Sequence, residues 1–189
     1  MACDVHETAE ALLNEAIITM AKDLNLMKML VHDRVDIDPR ELSVISKPQD
    51  FIYKPEVDYA PNTPRDESFR LYPFCYIPDV LESQRSFIAC DISDMKPLKD
   101  DIVHAHYHMC FYVGVHIDLK AIKGGIRRDM KLSSYIHKLF NRKLTDYSNK
   151  GFIWKGTSQF AFNSKWQGYK LGYELLTTSD KGLFCRECE

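Results

Sequence analysis

The stretch DIVHAHYHMC, residues 101–110, sets His104, His106, His108 and Cys110 at every second position. Imidazole and thiolate are favoured ligands for zinc and its neighbours, so this spacing raises metal chemistry, with a bound ion activating water. On a strand, successive side chains alternate faces, so these four residues share one face and Val103, Ala105, Tyr107, Met109 and Phe111 share the other. The apolar set is expected to face the core. With a rise of ~3.3 Å per residue, His104 and His108 lie ~13 Å apart, whereas a zinc–nitrogen bond is ~2.0 Å, so one ion takes at most two neighbouring histidines. In cupin-like barrels, whose metal motif opens on H-x-H, a glutamate follows within a few residues and a third histidine comes later. Here MCFYVGV follows, and no acid comes before Asp118. No metal ligand is assigned; a metal-dependent enzyme using two of His104, His106 and His108 stands as the alternative.

Other arrangements are less complete. Cys185 and Cys188 have the spacing of half a zinc ribbon or a redox pair, but no second C-x-x-C exists and no βαβ pattern surrounds them. Asp33, Asp36 and Asp38 lack the turn glycine and distal glutamate of a calcium loop. Neither phosphate-binding glycine motif is present, and neither is a G-x-S-x-G nucleophile elbow. No catalytic residue and no cofactor are expected, and the chain is read as a non-enzyme.

The elements follow from periodicity. Asp4 with Glu7 forms a capping box, and Ala9, Leu12, Leu13, Ala16, Ile17, Met20, Ala21 and Leu24 recur at helical spacing, predicting a long first helix that packs on a sheet through Leu13, Ile17, Met20 and Leu24. From Val31 to Glu67 the pattern stops. Five of the eight prolines fall here (Pro39, Pro48, Pro55, Pro61 and Pro64), which predicts an extended arm or long loop over 31–67. Strand signals follow at FRLYPFCYI, RSFIACDIS and DIVHAHYHMCFYVGVHI, then a helix over about Arg127 to Lys143 that turns Ile126, Met130, Ser133, Ile136, Leu139 and Phe140 to one side. GFIW, SQFAFN and GYKLGYELLTT return as strands, and 180–189 is a tail. The order is not alternating βαβ, so the class is α+β, one domain over 1–189, with a mostly antiparallel sheet and one helix crossing it.

Charge is uneven along the chain. The net charge is −2, yet Lys120 to Lys155 holds ten Lys or Arg against Asp129 and Asp146, leaving 15 basic and 25 acidic residues elsewhere. A solvated helix face produces such a run. So does a contact with nucleic acid, stacked by Trp154 and Trp166, or with the acidic part of a neighbouring copy. No apolar run approaches the ~20 residues of a membrane span, and MACDVHETAEALLNEA is acidic where a signal peptide is basic, so a soluble protein made in the cytoplasm, without membrane contact, is expected. The six cysteines are then reduced thiols, with Cys75, Cys90 and Cys110 as small apolar fillers.

The segment from about Arg85 to Thr178, half of the chain, resembles the tail-terminator and tail-completion proteins of long-tailed bacteriophages. The resemblance lies in a strand opening IVHAHYHMCFYV, a polar loop, GIRRDMKLSSYIHKLF as a helix crossing the sheet, and NKGFIWKGTSQFAFNSKWQGYKLGYELL as closing strands, with Gly168 and Tyr169 at the re-entry. The arm of 31–67 is longer than that family's. The resemblance implies a structural virion protein forming a six-membered ring at the head–tail junction. Its partners would be other copies of itself, the tail tube and neck or connector proteins, with DNA passing through the lumen.

Overall fold

β-Branched and aromatic residues alternating with polar ones drive the two longest strands, β2 (Ser86–Leu98) and β3 (Asp101–His116), which pair antiparallel with Ile88 opposite Val113. The computed structural model of the chain describes residues 5–36, 38–54, 68–76, 83–98, 101–148 and 150–176. Around β2 and β3 a five-stranded open sheet is completed by β1 (Leu71–Tyr72), β6 (Ile153–Ala161) and β7 (Trp166–Leu176), in the order β1-β2-β3-β7-β6. Only β1 runs parallel to its neighbour. A separate two-residue ladder, β4 (Ala121–Ile122) with β5 (Ile126–Arg127), closes around Gly124 and Gly125, both at positive φ. The fold is α+β with a mostly antiparallel sheet, as expected.

Three described helices cover one face: α1 (Val5–Lys22), α2 (Leu24–Val31) and α3 (Arg128–Phe140). The helical run beginning at Val5 is interrupted at Asp23, whose side chain accepts from Leu26 N at 2.7 Å and so caps α2. The interruption changes the phase. Leu12, Ala16, Ile17 and Met20 of α1 and Leu26, Met27, Met29 and Leu30 of α2 are buried, while Leu24 is 47 % exposed. The capping residue Asp4 lies outside the described residues.

These helices seal Ala105, Tyr107, Met109, Phe111, Val113 and Val115 of β3 together with Cys90, Leu171, Tyr173 and Leu175. The alternation expected for β3 therefore holds. Phe140 of α3 stacks on Phe111 at 4.5 Å, and burying each such side chain contributes about 1.5–3 kcal/mol.

The crossing helix buries Ser133, Ile136 and Phe140 as expected and differs from expectation at its start. Its buried stripe is Leu132, Ile136 and Phe140 with Arg128, Asp129 and Ser133, whereas Met130 is 53 % and Ile126 40 % exposed. Ile126 lies in β5, and the helical rotation beginning at Arg128 turns Met130 outward. GFIW and SQFAFN join into the single strand β6 across a register shift between Trp154 and Gly156. Among the described residues of FRLYPFCYI, Leu71 and Tyr72 are in register with β2, and Arg70 is bonded through its backbone to Ile88 and Phe51. Cys75, expected as filler, is exposed.

Residues 38–54 carry two short 3-10 turns, Pro39–Glu41 and Pro48–Phe51, and bring Ile52 into a parallel bridge with Leu71. Residues 55–67 and the tail with Cys185 and Cys188 lie outside the described residues. No described helix is long and apolar enough to cross a membrane.

Candidate functional site

The helix-free face of the sheet carries the even-numbered residues of β3. At one end of it an aromatic cluster forms from Phe69, Tyr72, Phe87 and Trp166, with Tyr72 stacked on Tyr76 at 4.1 Å. Phe87 lies across β3, where a Cβ on Gly114 would come within 2.3 Å of its ring, so that position needs glycine. Toward the other end lie His106, His108, Cys110 and Tyr112, beside Lys170 and Glu174 of β7.

The two described histidines toward this end, His106 and His108, have separate partners. His106 Nδ1 is 3.3 Å from Glu174 Oε1, whose other oxygen takes Lys155 Nζ at 2.5 Å. The Lys155 hydrogen bond holds the Glu174 carboxyl below its ordinary range, with smaller help from the charges of Lys155 and His106. His108 Nδ1 is 2.7 Å from Ser93 Oγ, and Ser93 donates to His108 O at 3.2 Å. A hydroxyl has one proton to give. With that proton on the carbonyl, the imidazole donates and Ser93 accepts; with it on the imidazole, Ser93 is the donor. Ser93 is the extra residue at the β2 bulge between Ile92 and Asp94, so the bulge turns its hydroxyl onto His108. Cys110 Sγ is 3.4 Å from the same hydroxyl and 3.8 Å from His108 Nδ1.

Among the described residues, no three His, Cys, Asp or Glu side chains come together to hold a metal. The side chain of His104, like Cys185 and Cys188, lies outside them. His116, which was not singled out in the sequence, is buried edge-on against Trp166 at 5.3 Å. Ser93, Lys155, Lys170 and Glu174 were also missed. The signal for Lys170 and Glu174 was the two-residue alternation of GYKLGYELL, in which they share a face with Gly172.

The basic run resolves into two groups, and this corrects its reading as one outward face. Arg128 is fully buried and donates to the carbonyls of Met29 (3.1 Å), His32 (2.6 Å) and Arg34 (2.5 Å). It therefore closes the C-terminal end of α2 and is unavailable to any partner. Arg127 pairs with buried Asp129 at 2.7 Å, Lys120 stands 3.6 Å from the same carboxylate, and Lys143 donates to Thr19. Lys123, Lys138, Arg142, Lys150 and Lys155 remain exposed. Nearby, Asp33 pairs with Arg70 at 3.1 Å. Burial raises the Asp33 carboxyl against the pull of Arg70 and Arg128.

An open cleft of about 290 Å³ lies between α2 and α3, lined by Lys28, Asp38, Arg40, Lys131 and Tyr135 among others. Arg40 is tied to Asp38 at 2.8 Å, and Lys131 lies over Tyr135.

Among the described residues, helices layer one face of a mostly antiparallel open sheet and polar groups line the other, which defines the class: an α+β sheet-and-helix domain. The chain belongs to the YomW family, whose model matches residues 23–175. This is a phage-derived family of the SPBeta-like prophage type. Comparison with curated proteins finds no match.

Proposed function

We propose that the chain is a structural subunit of a tailed-phage virion that assembles head-to-tail into a ring of six copies at the head–tail junction, where it terminates or connects the tail tube. The observation that carries this reading is the uneven charge along a chain from a phage-derived family. Lys138, Arg142, Lys150 and Lys155 are exposed, while 25 of the 27 acidic residues lie outside 120–155. A heterologous contact joins two different patches of one surface, and opposite charges on those patches set register and partner choice. In this role the chain needs no cofactor and no catalytic residue. It is made in the host cytoplasm and ends in the virion, against tube and neck proteins.

The test is the salt dependence of assembly. The mass of the purified chain in solution should fall toward the monomer as salt rises, and Lys138→Glu with Arg142→Glu should shift the loss to lower salt. A mass that ignores both salt and reversal removes the electrostatic contact.

One observation favours a nucleic-acid role in the lumen. Trp154 is 47 % exposed, its ring edge-on to His137 at 5.2 Å, beside Lys155, which suits stacking on a base next to a phosphate. DNA affinity that falls steeply with salt and disappears in Trp154→Ala would support it.

A further inference from the structure

The two edges of the sheet are chemically complementary. β6 is the outer strand on one side, and every residue of it is at least partly exposed. On the other side β1 covers β2 only at Ile88 and Ala89. Among the described residues, nothing pairs with the outer edge of β6 or with that of β2 beyond Ala89.

Which amides point outward follows from the ladder pattern. In an antiparallel pair, hydrogen-bonded and non-bonded positions alternate. Phe162 N donates to Trp166 O, so Phe160 and Ser158 bond inward to β7, whereas Thr157, Gln159 and Ala161 direct their N–H and C=O groups outward. On β2, His116 N donates to Arg85 O, which makes Ile88, Cys90 and Ile92 the outward residues. The bond from Ile88 N to Arg70 O agrees with this. Beyond the Ser93 bulge, Pro97 has no N–H to give to β3, so Met95 shares its outward phase. The available lengths match: Gly156–Ala161 on one edge and Cys90–Lys96 on the other.

We infer that β6 of one copy adds to the free half of β2 of the next, making one continuous antiparallel sheet through the assembly. The inference rests on the ring reading and gives it a contact. Two independent features of the fold agree with it. First, β2 and β7 run opposite to β3 and β6, so a second copy placed head-to-tail with its helices on the same side presents β2 antiparallel to β6. Second, residues directly opposite each other share a face. Outward-pointing Cys90, Ile92 and Met95 belong to the helix-side core. Thr157 and Gln159 lie opposite Leu171 and Tyr169, which also belong to that side. Pairing Gln159 with Ile92 and Ala161 with Cys90 therefore keeps both helix layers on one side. A mismatch of phase would have put them on opposite sides.

The position of β1 also fixes an offset. Within one copy, Gln159, Tyr169, Val113 and Ile88 form a row across the sheet. Because β1 occupies Ile88 and Ala89, Ala161 first clears it opposite Cys90, which sets Gln159 opposite Ile92, four residues further on, an offset of about 13 Å at ~3.3 Å per residue. Spread over β2, β3, β7 and β6, this is one residue per strand, the shear of a closed sheet whose strands tilt by about 36°. The offset is thus compatible with a closed ring.

Amide hydrogen exchange on the full chain, below and above the concentration of assembly, tests the pairing. The amides of Thr157, Gln159, Ala161, Cys90, Ile92 and Met95 should slow by at least tenfold on assembly, while those of Ser158 and Phe160, already bonded to β7, change little. Gln159→Pro removes one outward N–H and no backbone β6–β7 bond, losing only the exposed side-chain bond from Gln159 Nε2 to Tyr169 OH at 3.2 Å, so it should keep the thermal midpoint within a few degrees and lose the oligomer. Assembly with fast outward amides, or a folded Gln159→Pro protein that still assembles, overturns the edge pairing and leaves the ring reading standing. A chain that stays monomeric at every concentration overturns both.

Discussion

Arg128, at the first position of α3, donates to the carbonyl of His32 at the end of α2, 2.6 Å away and 96 residues earlier in the chain. Together with its bonds to Met29 and Arg34, this makes one side chain the closure of a helix end that would otherwise leave buried carbonyls unpaired. Arg128→Ala should cost on the order of 3 kcal/mol, since several buried acceptors lose their donor. Arg128→Lys should recover little, because one ammonium cannot span three carbonyls. Urea unfolding of both variants decides this, and near-wild-type stability of Arg128→Ala would show that the carbonyls find other donors.

The phase of the first helices predicts a contrast. Leu12→Asp places a charge in the core to which Met20 also belongs and should unfold the domain or cost at least about 3 kcal/mol. Leu24→Asp, at an exposed position, should change stability by less than about 0.5 kcal/mol. Thermal midpoints of the two variants check the break at Asp23.

Gly172 lets the His108 ring lie across β7. A Cβ there would stand 3.0 Å from His108 Nε2, so Gly172→Val should destabilise by about 1–3 kcal/mol through overpacking. His108→Ala in the same chain should return part of that loss. Equal midpoints with and without His108 would show that the clash is with another group.

Glu174 predicts a pH dependence. Its folded pKa lies below the ordinary 4.5, chiefly through the Lys155 hydrogen bond. Its contribution to stability is therefore full above about pH 4.5 and is lost as pH falls through the folded value. Below pH 4.5, Glu174→Gln should show a shallower fall in midpoint than the parent chain. Parallel curves would mean that the pair with Lys155 contributes nothing measurable.

Much of the sheet was legible because one face is buried. Ala105, Tyr107, Met109 and Phe111 could face only the core, which put His106 and His108 on the other side. β6 was read as two strands because Gly156 resembles a turn; it sits at a bulge with φ +139, where glycine absorbs the kink. The break at Asp23 carries no glycine or proline, and an N-cap inside an unbroken apolar rhythm is not visible until the chain turns. Arg128 was least legible. Periodicity assigns a charged residue to solvent, and nothing local announces that its partners are carbonyls about a hundred residues earlier. The separate partners of the histidines depended likewise on β2 and β7 and on the register that sets Asp94 and Glu174 opposite His108.

The ring itself is tested most directly by native mass spectrometry of the purified full chain at low salt. The account predicts one closed species of six copies of the 22.0 kDa chain, disassembling as salt is raised. A monomer at every concentration, or a ladder of open multimers without a closed end point, would contradict it.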